Sequence, residues 1–106
     1  DTMNLGGIKI SSAEIERVLN HVEPVVESAA VSYSPSHGPD QLIIFAVLSR
    51  ETDMGHLQKE MNQALKTELN PLFKVHSDES VSAMPRTASG KVMRRKLRDL
   101  IEPETN

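Results

Sequence analysis

The hydrophobic positions change period along the chain, and the changes mark elements. In "MGHLQKEMNQALKTELNPLF", Leu57, Met61, Ala64, Leu65 and Leu69 form an i, i+4, i+7, i+8 stripe, while Lys59, Glu60, Gln63, Lys66 and Glu68 fill the other face. This pattern predicts an amphipathic helix that Asn70-Pro71 ends. Ile15, Val18, Leu19 and Val22 repeat at the same period behind Ser11-Ser12-Ala13-Glu14, which reads as a capping box. A second helix is therefore predicted at about 12–22, with Pro24 limiting its extension. Ile8-Lys9-Ile10 alternates as a short strand does, after a loop. Ala29, Val31 and Tyr33 alternate with smaller residues, Pro35, Gly38 and Pro39 break the chain, and Leu42 to Leu48 is a continuous apolar run. Two strands follow from this, the second covered on both faces. Residues 73–84 are a weaker strand, since "HSDES" is polar. The stretch "SGKVMRRKLRDL" closes the chain as a short basic helix starting near Ser89, with Gly90 unfavourable in its first turn. The order strand, helix, strand, strand, helix, strand, helix predicts an α+β fold, about three helices on a small mixed sheet.

Composition narrows the picture. A chain of 106 residues suits a single domain, residues 1–106. With one Tyr, two Phe and no Trp, the core must come from aliphatic residues and Met. Scarce aromatics also argue against base stacking on nucleic acid. No cysteine is present, which removes disulfides, thiolate zinc sites and a cysteine nucleophile. No apolar run approaches the roughly 20 residues that cross a bilayer. The opening "DTMNLGG" lacks an initiator Met, as expected of a piece of something longer.

The net charge of −3 conceals a segregation. Residues 86–98 carry Arg86, Lys91, Arg94, Arg95, Lys96 and Arg98 and no acid, whereas the residues before and after are acidic in balance. A local positive field on an acidic molecule suits an anionic ligand or partner.

Within that basic stretch, "TASGK" holds a small, polar, Gly-containing loop followed by a lysine. Lys91 is a point charge on a flexible stem, able to meet phosphate or carboxylate and to stabilise developing charge. It is not a phosphate-binding P-loop, because residue 85 is Pro and residue 92 is Val. On spacing alone, a capped surface helix with a solvated basic face stands ahead of a site. The paired glycines of "LGGIK" suit a turn or a close approach by a partner. His21, His37, His56 and His76 show no metal-ligand spacing, and no serine sits in a nucleophile elbow.

Three stretches in order, "GGIKISSAEIERVL", "ESAAV" and "PRTASGKVMRRKLR", are together more specific than any one of them. They resemble the C-terminal domain of AMP-forming acyl-CoA synthetases. That adenylate-forming superfamily also includes luciferases and peptide-synthetase adenylation domains. The resemblance covers about residues 1–100.

The resemblance implies a function by position. Such enzymes join a carboxylate to ATP, giving acyl-AMP and pyrophosphate, and then transfer the acyl group to coenzyme A with release of AMP. ATP and coenzyme A are thus expected as substrates, with Mg held outside this domain. The expected partner is an N-terminal domain that binds ATP and the acid, over which this domain closes and then rotates. Lys91 matches the lysine of the adenylation step. Gly6 and Gly7 would line the tunnel for the pantetheine arm. Lys9 aligns with a basic position of the same loop, and Arg86 and Arg94 are candidates for coenzyme A phosphates or the large domain. Of the family's boundary stretch only Asp1 remains, so the fragment alone is expected to fold without catalysing the full reaction. A short or medium acid, no nucleic acid, no membrane span and a cytoplasmic location complete the expectations. Two alternatives remain, an adenylation subdomain serving a carrier protein and a free-standing module that uses its basic helix to hold an acidic partner or nucleic acid.

Overall fold

The computed structural model describes residues 2–101. Its elements are β1 (Thr2–Leu5), β2 (Ile8–Ser11), α1 (Ser12–Leu19), β3 (Val25–Tyr33), β4 (Gln41–Leu48), α2 (Met54–Glu68), β5 (Val75–Ser80) and α3 (Arg94–Arg98). The α+β expectation holds, but with two sheets. A two-stranded hairpin pairs β1 with β2, and a mixed three-stranded sheet runs in the order β3-β4-β5. β3 and β4 are antiparallel, and α2 crosses over so that β5 lies parallel to β4.

The centre of the fold is β4, whose apolar run is buried on both faces because successive side chains alternate. Leu42, Ile44 and Ala46 face one cluster with α1, α2 and the hairpin, through Ile15, Leu19, Leu57, Met61 and Leu65. Ile43 and Phe45 face the other, with Ala29, Val31, Met84 and Leu97. Each Leu, Ile, Val, Phe or Met among them contributes roughly 1.5–3 kcal/mol on burial, and the alanines less. The domain is thus three layers: two helices and the hairpin, then the sheet, then α3 with the segment that precedes it.

Helix starts follow their caps. Ser11 Oγ accepts from the Glu14 N–H at 3.2 Å, the N-cap half of a capping box, and the Ser11 hydroxyl donates to Glu14 Oε2 at 3.4 Å. Asp53 caps α2 by accepting from Gly55 N–H at 3.0 Å.

Several boundaries differ from the sequence expectation. Residues 2–5 are a strand rather than a loop, paired to β2 from Thr2↔Ser11 to Leu5↔Ile8. Helix α1 ends at Leu19 instead of reaching 22, because His21 and Val22 close separate turns onto Val18 and Leu19. β3 begins at Val25 and carries a bulge between Val25 and Glu27. The polar segment at 75–80 is a strand because α2 supplies partners for its start. Val75 N–H donates to Asn62 Oδ1 at 2.7 Å, and Gln58 Nε2 donates to the carbonyls of Val75 and His76. The basic helix starts at Arg94, not Ser89. Gly90 takes φ +91 and Arg86 bridges Val92 across a turn, geometry no helix accepts.

Candidate functional site

The segment 86–93 forms a closed turn with Lys91 on it. Thr87 N–H donates to the Lys91 carbonyl at 2.8 Å, and Gly90 N–H donates to the Thr87 carbonyl at 2.9 Å. Lys91 N–H donates to Thr87 Oγ1 at 3.2 Å, which itself lies 3.0 Å from Ser89 Oγ. Met93 N–H closes the neck on the Pro85 carbonyl at 2.7 Å. Small residues and a left-handed glycine are what this turn requires. Lys91 is exposed, and its ammonium makes no ion pair among the described residues. A compact charge on a stiff base is thereby offered to solvent.

Neither arginine singled out from the sequence is free. Arg86 pairs with Glu27 on β3, and its other terminal nitrogen donates to the Gly90 carbonyl at 2.8 Å. Arg94 donates to Glu16 Oε2 at 2.6 Å, and both side chains are largely buried. The same Glu16 oxygen accepts from Ala30 N–H at 2.8 Å. Arg94 Nε is buried and unpaired. The two guanidinium groups are engaged with the domain itself, while Lys91, Arg95 and Lys96 stay exposed. Glu16 and Glu27 are the site residues that sequence reading missed. Their only signal is a carboxylate within otherwise packed elements, which does not reveal a partner far along the chain.

Gly6 and Gly7 form the two-residue turn of the β1–β2 hairpin, at φ +61 and +88. Both residues being left-handed matches the turn type whose twist suits a tight hairpin. A Cβ at either position would meet nothing within 4 Å, so the backbone, and not crowding inside the domain, calls for glycine. Lys9 lies next to this turn on β2, opposite Asn4, and is exposed. The glycine turn belongs to the layer with α1 and α2, and the Lys91 turn to the opposite layer. The structure therefore does not bring Lys9 and the glycines together with Lys91, Arg86 and Arg94. It groups them as two sites on the two sides of the sheet.

Elsewhere, a groove of about 790 Å³ between α1 and α2 shares no lining residue with either turn. Among the described residues no three His, Cys, Asp or Glu side chains converge as a metal site, and no helix is long and apolar enough to cross a membrane. On β5, burial without a partner for Oδ2 pushes the Asp78 carboxyl above its ordinary value.

Comparison with known proteins matches the sequence to one family over residues 14–91, described as the AMP-binding enzyme C-terminal domain. Hexanoyl-CoA synthase of Cannabis sativa is 52% identical over 92% of this chain and 14% of its own length. A protein of Arabidopsis thaliana named "Probable acyl-activating enzyme 17, peroxisomal" is 50% identical over the same shares. The chain thus spans 14% of the length of these relatives. The solved acyl-CoA synthetase of Brucella canis shares the fold, with a TM-score of 0.82 at 24% identity over 93% of this chain and 18% of that one. The chain belongs to the family of AMP-binding enzyme C-terminal domains.

Proposed function

We propose that this domain serves an AMP-forming acyl-CoA synthetase, and that Lys91 is its cation for the adenylation step. In that reaction a carboxylate oxygen attacks the α-phosphorus of ATP, pyrophosphate leaves, and acyl-AMP forms. The thiol of coenzyme A then attacks the acyl carbon and AMP leaves. The observation that carries the reading is the Lys91 turn: an exposed ammonium with no ion pair among the described residues, on a rigid, hydrogen-bonded loop. Attack of one anion on another needs a fixed positive charge between them, supplied without reorganisation. An exposed loop can deliver such a charge to a pocket elsewhere in the protein and withdraw it for the second substrate.

The glycine turn on the other side of the sheet supports a second role. Open space around Gly6 and Gly7 lets a slender arm such as pantetheine pass close to the backbone, with exposed Lys9 near its phosphates. Alternation between the two half-reactions is then a rotation of the whole domain against an N-terminal domain that binds ATP and the acid. The 106-residue chain alone would not catalyse the full reaction. Mg accompanying ATP finds no carboxylate cluster to hold it among the described residues, and nothing in the role of Lys91 passes through it. The name of the Cannabis relative favours a short or medium acid, and the name of the Arabidopsis relative favours a peroxisome over the cytoplasm.

The test is Lys91→Ala in the full-length parent. Acyl-adenylate formation, read by ATP–pyrophosphate exchange, should fall by about 10²-fold or more. Thioester formation from supplied acyl-adenylate should stay within about threefold, since the reading gives Lys91 no part in that step. Equal loss of both half-reactions would remove this role for Lys91.

A further inference from the structure

We propose that Glu27 is a positioning residue that sets the Lys91 turn through Arg86. This inference rests on the adenylation role of Lys91. The geometry is a relay of three contacts. Glu27 stands on β3 just after the bulge, where the strand is pinned to β4 by the Glu27↔Val47 pair. Its carboxylate holds one terminal nitrogen of Arg86. The other terminal nitrogen donates to the carbonyl of Gly90, the peptide that leads directly into Lys91.

A guanidinium is suited to this task because it is planar and its donors are fixed relative to one another. Orienting it at Glu27 also orients the Gly90–Lys91 peptide plane. This link adds to the turn's own hydrogen bonds at its most permissive point. Gly90 sits at φ +91 with no side chain to restrict it, and residues 86–91 are all exposed, so packing does not hold them. The far end of the segment is tied independently by Arg94 to Glu16, and Glu16 is bonded to Ala30 of the same strand. Both ends of the Lys91 segment therefore refer back to β3. Arg86, which the resemblance makes a candidate for coenzyme A phosphates or the large domain, makes this internal link as well.

The energetic contribution to folding is small, because both partners are partly exposed. The contribution to the site is geometric, and geometry of a reacting charge is where small displacements matter most.

The experiment compares Glu27→Gln with wild type in the full-length parent by two readouts. Amide hydrogen exchange of Gly90 and Lys91 should speed by about tenfold as the turn opens locally. The maximal rate of ATP–pyrophosphate exchange should fall by about tenfold to a hundredfold with KM for ATP within about threefold. Thioester formation from supplied acyl-adenylate should be unchanged. Arg86→Ala, at a more exposed position, should reproduce both effects and add nothing when combined with Glu27→Gln. Unchanged exchange in both variants would overturn the relay. Faster exchange with unchanged adenylation would overturn the positioning role. Lys91→Ala with normal adenylation would instead remove the underlying reading, whatever the exchange data show.

Discussion

Arg94 and Glu16 join the two outer layers of the domain around the open edge of β3. The guanidinium on α3 lies 2.6 Å from a carboxylate on α1, and that carboxylate also accepts the Ala30 N–H on the strand's outer edge. One side chain thereby satisfies an edge amide and pairs with a mostly buried cation. It also blocks the middle of an edge that would otherwise invite another strand.

Glu16→Ala should cost about 3–5 kcal/mol, because it strands a mostly buried guanidinium and an edge N–H together. Urea denaturation of the 106-residue chain measures this from the shift in midpoint at constant slope. A loss under about 1 kcal/mol would mean that Arg94 is readily rehydrated.

Gly7→Leu places a branched side chain at φ +88, a conformation that costs an L-residue about 1–2 kcal/mol. Its Cβ meets nothing inside the domain. The expected outcome in the parent is a modest fall in thermal midpoint and a much larger loss in the coenzyme A half-reaction than in adenylation. Equal rates in the thioester step before and after substitution would show that nothing passes over this turn.

Asp78 gives a pH signature. Burial raises its folded pKa above 3.8, so the folded state holds this proton more tightly than the unfolded chain. The charged form is the disfavoured one, and its penalty is absent below pH 3.8 and grows as pH rises through the folded pKa. Asp78→Asn should therefore raise the thermal midpoint at pH 7, with the difference shrinking to nothing near pH 3. A constant difference across that range would place the effect in packing.

Leu97 is fully buried and is the only buried residue of α3. Leu97→Ala should cost roughly 2–5 kcal/mol of stability. It should also speed exchange across 94–98 more than across α2, which packs on the opposite side of the sheet.

What could be read from the sequence is what local pattern encodes. Helix α2 carries a long periodic signal, strand β4 an unbroken apolar run, and the Ser11–Glu14 capping box needs only four residues. The place of Lys91 after Gly90 was visible for the same reason. Strand β5 was faint because its support comes from Gln58 and Asn62 of α2, whose partners lie 13 to 18 residues away. The late start of α3 turned on the backbone of Gly90, where propensity only suggested a cost. The internal partners of Arg86 and Arg94 are not legible in the sequence because their carboxylates stand 59 and 78 residues earlier in the chain.

The split of the apolar interior by β4 bears on how this domain varies. Residues beneath the glycine hairpin and residues beneath the lysine turn pack on opposite faces of β3 and β4, with the Glu16–Arg94 pair as a direct side-chain link between the two layers. Changes of side-chain volume in one cluster are therefore transmitted only weakly to the other, and the two turns are free to diverge separately.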